Sequence, residues 1–234
     1  MEPLLSLKSI SKSFGKRKVL DSLSFDLLPN DIVGLVGRSG SGKSTLIKIL
    51  VGYYSPDNGR IMYGKRDITR RFHKVKGIVG YTTQENSFYD KLTVQENMHY
   101  YANLYSIPFR KRKDRIKELL QAVRLNGARN VLAGDVSGGM KRRLDFAISL
   151  LHEPKVVILD EPTTGLDPVL VTNFWKIVTE IANKQSITVL VSSHSLSEVK
   201  EYCNKAAVLH GGKISMIKVS KGTDVEARFR EMTG

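Results

Sequence analysis

Residues 32–51 set three segments end to end: an apolar run, Ile32-Val-Gly-Leu-Val36, a loop, Gly37-Arg-Ser-Gly-Ser-Gly42-Lys43-Ser44, and a helical pattern over 43–51. A short, continuously apolar run is the mark of a strand buried on both faces. A glycine-rich loop that leaves such a strand and opens a helix aims backbone N–H groups and the helix's positive end at one spot, which suits an anion. Lys43 can reach the β- and γ-phosphates of a nucleotide, and the Ser44 hydroxyl can ligate magnesium. The four fixed positions of the P-loop pattern (Gly37, Gly42, Lys43 and Ser44) are all present in the flanking context that the chemistry needs. Ser39, Gly40, Ser41 and Thr45 complete the candidate phosphate contacts.

The periodicity elsewhere points to an α/β fold with a parallel-sheet core. Leu5, Leu7 and, less regularly, Ile10 mark one strand; Leu23, Phe25 and Leu27 alternate with Ser24 and Asp26 as another. Turns fall at Pro29-Asn30-Asp31 and over 55–59. Residues 77–83 read as a further strand. From 93 to 151 the pattern is helical: Thr93-Val-Gln-Glu96 is a capping box opening a helix that stops before Pro108, and helices are expected over 110–123 and 138–151. Strands return over 156–160 and 187–191, around a helix carrying Val171, Phe174, Trp175, Val178 and Ile181. Ser195-Leu-Ser-Glu198 is a second capping box, and residues 206–209 and 214–217, split by Gly211-Gly212, form a closing hairpin. The expectation is one domain over 1–234: a P-loop NTPase core from 1–84 and 152–234 with an N-terminal antiparallel β region, and an inserted helical subdomain over 85–151. A chain of 234 residues can bury such a core without disulfide or metal staples.

Composition narrows the class. Cys203 is the only cysteine, so a reducing compartment is expected. No apolar run approaches the ~20 residues of a membrane span, and Met-Glu-Pro-Leu-Leu has no leader-like core; a soluble chain is expected. A formal net charge of +14 favours an anionic partner.

A P-loop alone leaves kinases, G proteins and transport ATPases open. Asn183-Lys-Gln-Ser and Asn204-Lys-Ala-Ala lack the Asp that reads guanine. Val156-Val-Ile-Leu-Asp160-Glu161 ends a buried strand in an acid able to hold a magnesium shell, the Walker B position, with Glu161 next to it to orient or deprotonate water.

Together with Val136-Ser137-Gly138-Gly139-Met140, 23 residues from Ser137 to Asp160, these residues make the chain resemble the nucleotide-binding subunit of an ATP-binding cassette (ABC) transporter over nearly its full length. The resemblance implies that Ser137, Gly138 and Gly139 form a second anion-binding helix N-terminus that faces the γ-phosphate on another copy, so that two ATP molecules are clamped in a head-to-tail homo- or heterodimer. Val136 and Met140 depart from the usual Leu and Gln of this signature; Gly-Gly-Met-Lys-Arg-Arg is typical of the branch resembling drug, polysaccharide and lipid exporters, whose membrane-spanning subunit is a separate chain. By the same resemblance Gln84 touches magnesium or water, Asp167 lines the dimer interface, His194, 33 residues beyond Glu161, contacts the γ-phosphate, and Phe14 stacks on adenine. The cofactors implied are ATP and Mg2+, the latter held by Ser44, Gln84 and Asp160. The place implied is the cytoplasmic face of a membrane.

Arg110-Lys-Arg-Lys-Asp-Arg-Ile-Lys117 carries six basic residues in eight. A solvated helical face is the first reading; attraction to an anionic leaflet or to nucleic acid, as in soluble ABC-type ATPases acting on DNA or ribosomes, remain as alternatives. Aromatic residues for base stacking are missing from 110–117, and no nucleic-acid partner is expected.

Overall fold

The computed structural model describes residues 2–70, 75–220 and 222–234. Strands β1 (Leu5–Phe14) and β2 (Arg17–Leu27) pair antiparallel, with Leu5 opposite Leu27 and Phe14 opposite Arg17. The register slips between Leu7 and Ile10, where Ser9 adopts a left-handed backbone (φ 52). That bulge returns Ile10 to the buried face, and it is why Leu5, Leu7 and Ile10 break strict alternation.

Two strands without a clear sequence signal complete this sheet in the order β2-β1-β4-β5: β4 (Asn58–Tyr63) and β5 (Arg66–Asp67). Gly59, at φ 97, lies over the bulge, where a Cβ would stand 2.5 Å from the Ser9 carbonyl oxygen.

The second sheet has the order β10-β9-β3-β8-β7-β6. It comprises β3 (Ile32–Val36), β6 (Val79–Thr82), β7 (Val156–Asp160), β8 (Thr188–Ser192), β9 (Lys205–His210) and β10 (Lys213–Lys218). Every pair is parallel except the β9–β10 hairpin. Gly211 and Gly212, both at positive φ, make its two-residue turn. Successive side chains of the parallel strands enter opposite cores. Val33, Leu35, Val156, Ile158 and Leu190 pack with the antiparallel sheet and α1 (Lys43–Leu50). Val36, Val157, Leu159, Val189 and Val191 pack with the helical side. Apolar residues on both faces therefore give the continuous runs seen in the sequence.

That second core also takes α2 (Val94–Leu104), α3 (Phe109–Ala122), α4 (Gly138–Ser149) and α5 (Pro168–Gln185). The box at Thr93 forms both bonds, Thr93 N–H to Glu96 at 2.7 Å and Glu96 N–H to Thr93 Oγ1 at 3.1 Å. The one expected at Ser195 forms only half. Ser195 caps α6 (Leu196–Tyr202) by accepting from Glu198 N–H at 3.2 Å, but the Glu198 carboxylate turns away to Thr163 and Trp175. A final helix, α7 (Val225–Thr233), is mostly polar and was not expected from periodicity.

The basic segment is only partly a solvated face. Arg115 donates to the Leu150 and Leu151 carbonyls at 2.6 and 3.4 Å, tying α3 to the end of α4, and Arg112 donates to Ile107 O and to Asn103. Arg110, Lys111, Lys113 and Lys117 are exposed. Among the described residues no helix is long and apolar enough to cross a membrane.

Candidate nucleotide site

Parallel register brings the motifs together. Leu35 lies opposite Ser192, and Ser192 opposite Asp160, so β3, β8 and β7 end on one edge of the sheet. The residues that follow them (Gly37 onward, Ser193-His194, and Glu161) share a crevice beyond that edge, where open α/β sheets bind ligands. A pocket of about 290 Å³ there is lined by Arg17, Val19, Ser39, Gly40, Gly42, Lys43, Ser44, Thr45, Glu161 and His194.

The loop is built as a cradle. A Cβ on Gly37 would stand 2.5 Å from both Leu209 O and Ser41 Oγ, and Gly42 turns into α1 at φ 108. Only glycine fits both demands. Lys43 is buried, and its Nζ donates to Gly37 O at 2.8 Å and to Arg38 O at 3.5 Å. Burial lowers its pKa, while the charges of Glu161 and Asp160 pull it back up. Ser41 Oγ is buried without a hydrogen-bond partner among the described residues. A buried orphan hydroxyl beside convergent amides fits a phosphate oxygen. Ser44, in the first turn of α1, is exposed.

On the acidic side, Asp160 Oδ1 accepts from Ser192 Oγ at 2.6 Å and Oδ2 from Tyr81 OH at 3.3 Å. Burial first, and then the Asp160 charge, raises the Tyr81 pKa, so the phenol stays a donor. Glu161 sits at φ 50, a left-handed conformation costing on the order of 1–3 kcal/mol. Its N–H donates to Ser192 Oγ at 2.9 Å and to Ser192 O at 3.2 Å. Its carboxylate meets His194 Nε2 at 2.6 Å and accepts from Gln84 Nε2 at 3.1 Å. Arg142 on α4 donates to the Gln84 carbonyl at 2.8 Å, joining the helical layer to this contact. Glu161, His194 and Gln84 thus meet although 77 and 33 positions separate the outer two from the first.

Five expected residues stand elsewhere. Ser137 is the N-cap of α4, its Oγ accepting from Met140 N–H at 3.4 Å; Ser137 and Gly138 are exposed, and neither they nor Gly139 line the pocket. Gly139 is buried, where a Cβ would stand 3.0 Å from Leu170 Cδ2. The Met140 side chain packs on the apolar core, which accounts for a thioether at that position. Asp167 caps α5, accepting from Val169 and Leu170 N–H at 3.0 Å each, with Pro168 at the first helical position. Phe14 is exposed, edge-on to Tyr54 at 5.3 Å, and does not line the pocket. Sequence reasoning missed Arg17, Tyr81, Arg142 and Ser192. Ser192 could have been found from its position two before His194 at a strand end; the other three carry no pattern.

Serine hydroxyl, carboxylate and amide oxygen are hard donors suited to Mg2+. The described residues contain no cluster of three His, Cys, Asp or Glu that would cage a metal alone.

Fold and crevice define an ATPase of the ATP-binding cassette class. The ABC transporter family matches residues 20–164, and the chain belongs to that family. It is 34% identical over 223 residues to the uncharacterized ABC transporter ATP-binding protein YdbJ of Bacillus subtilis, covering 95% of this chain and 71% of that one. It is 34% identical over 221 residues to the bacitracin transport ATP-binding protein BcrA of Bacillus licheniformis (92% and 69%). The solved structure of an ATP-binding subunit of an ABC transporter superposes with TM-score 0.85 at 26% identity, covering 99% of this chain and all of that one. The chain is an ATP-binding, ATP-hydrolysing subunit of an ABC transporter whose relatives are of exporter type. Relatives whose names specify bacitracin transport, linearmycin resistance and Nod factor export give the nucleic-acid alternative no support.

Proposed function

We propose that two ATPase subunits, this chain and a second copy or a close homologue, close head to tail over two ATP molecules and drive export through a separate membrane-spanning subunit, docked at its cytoplasmic face. The observation that carries the reading is the meeting of His194 and Gln84 on Glu161 beside the Lys43 loop. Glu161, with His194 holding the far side of its carboxylate, orients water toward the γ-phosphate and takes its proton. Lys43 exchanges its loop carbonyls for β- and γ-phosphate oxygens, and the amides of residues 39–45 hold the rest. Ser44, Asp160 and Gln84 would hold Mg2+, which neutralises charge on the phosphate oxygens when bound. Phe14, exposed at the end of β1, is assigned to the adenine ring, and Asp167 to the dimer interface. Because the exposed Ser137–Gly138 N-terminus lies outside its own pocket, it is assigned to the site of the other subunit.

Export is supported by the names of relatives: linearmycin resistance ATP-binding protein LnrL of Bacillus subtilis, 32% identical over 226 residues, and a Nod factor export ATP-binding protein of a Rhizobium species, 32% identical over 212. The test is co-purification with the product of a neighbouring reading frame that has about six apolar spans of about 20 residues. Binding of that protein and stimulation of ATP hydrolysis are expected. If the chain hydrolyses ATP alone and no such membrane protein binds it, the transport assignment falls.

A further inference from the structure

We infer that Glu198 is a positioning residue for ATP hydrolysis, holding His194 against Glu161 through one carboxylate oxygen. The inference rests on the reading above, in which His194 and Glu161 act together on the attacking water.

Glu198 Oε2 accepts from Thr163 Oγ1 and from Trp175 Nε1, both at 2.8 Å. Thr163 is buried two residues beyond Glu161, and Trp175 is fully buried on α5, the helix capped by Asp167. Glu198 itself stands in the first turn of α6, whose cap, Ser195, directly follows His194. One oxygen therefore pins the helix behind His194 to the loop of Glu161 and to α5. A second anchor lies next to it: Val199 is packed so tightly on β3 that a Cβ on Gly34 would stand 2.6 Å from Val199 Cγ2.

The His194 side chain is 56% exposed, and among the described residues its polar contact is to Glu161 alone. Its placement thus depends on the backbone that α6 holds. Glu161 sits in a strained left-handed conformation, which persists only where the surroundings over-determine it. In forgoing the second half of its capping box, Glu198 spends its carboxylate on that restraint instead of on its own helix end.

Glu198 only accepts hydrogen bonds here, so a carboxamide oxygen can take its place and a methyl cannot. Glu198→Ala is expected to lower kcat by about tenfold or more with the ATP KM within about threefold, and Glu198→Gln to keep at least about half of wild-type kcat. Trp175 is the only tryptophan, so its emission reports its Nε1–H bond directly. Its maximum should shift in Glu198→Ala and stay near wild type in Glu198→Gln. Should Glu198→Ala fail to fold, Thr163→Val removes one of the two donors and should lower kcat in the same direction. In a His194→Ala background, Glu198→Ala should have little further effect.

A wild-type kcat in Glu198→Ala beside a crippled His194→Ala overturns the proposal alone. So does a loss carried by KM, or an undiminished effect of Glu198→Ala in the His194→Ala background. A wild-type rate in His194→Ala instead overturns the underlying reading of His194.

Discussion

Lys43 holds a charge that the fold would lose more easily than the function. Burial lowers its pKa from the ordinary 10.5, so near neutral pH its charge is a cost to the empty fold, offset in part by Glu161 and Asp160. Lys43→Ala should therefore abolish ATP binding, measured by calorimetric titration, while leaving the melting temperature without nucleotide within a few degrees (about 4 °C) of wild type. Normal affinity in the variant would sink the loop assignment. Glu161→Gln should act at the next step: it spares the phosphate contacts, so ATP affinity stays and turnover falls by about a hundredfold or more. Turnover at the wild-type rate would place the base elsewhere. The loop, Asp160 and Glu161 were legible from sequence because each sits beside the strand that presents it. Gln84 and His194 were legible only by resemblance, since their meeting on Glu161 is made by strand register across the sheet. Tyr81 and Arg142 were not legible at all; their partners are a carboxylate and a backbone carbonyl far along the chain.

Elements that bury a full face were easier to read than those that bury little. Strands β3, β7 and β8 came from their apolar runs, and α5 from its helical spacing. Strand β4 exists by pairing with β1 across some fifty residues of chain, and its Asn-Gly-Arg start reads as the end of a turn. Helix α7 buries only Val225 and Thr233 fully. Between elements, His152 stitches the end of α4 to the sheet: its Nε2 meets Val79 O on β6 at 3.2 Å, its ring stacks on Tyr105 at 4.3 Å, and its Nδ1 is buried with no partner among the described residues. Burial is the main cause that lowers its pKa below 6.5; the nearby Arg115 charge adds to this, and the Val79 bond opposes it. The folded ring therefore stays neutral while the unfolded chain takes up a proton as pH falls through 6.5. The unfolded state then binds more protons, and stability drops with falling pH until the folded ring also protonates. The urea midpoint should fall from about pH 7.5 to about pH 5.5 more steeply in wild type than in His152→Gln. Equal slopes would show that His152 stays paired with solvent or protonates freely in the fold.

For the whole molecule, the proposed dimer requires each chain to carry two halves of a site on different surfaces. The Lys43 loop lines the pocket with Glu161 and His194, while Ser137 and Gly138 open α4 outside it. In a two-fold dimer the contact is reciprocal: if the loop of one chain faces the Ser137 end of the other, the converse contact forms as well. Ser137→Arg would place a bulky cation where that end must approach and block the partner's pocket, whereas Lys43→Ala disables a chain's own pocket. Either variant alone should therefore be inactive. Mixed, they form a dimer in which the Ser137→Arg chain supplies an intact loop and the Lys43→Ala chain an intact Ser137 end, so one of two pockets is whole. With random pairing at equal amounts, half the dimers are mixed, and the mixture should recover about a quarter of wild-type hydrolysis if the pockets turn over independently. The measurement is steady-state hydrolysis at saturating ATP as the two variants are titrated into one another, with light scattering to confirm dimers. Recovery that peaks at equal amounts supports a pocket shared between chains. A Ser137→Arg protein that is fully active alone, or a mixture that never exceeds its components while mixed dimers are present, removes Ser137 from the partner's phosphate and with it the head-to-tail arrangement.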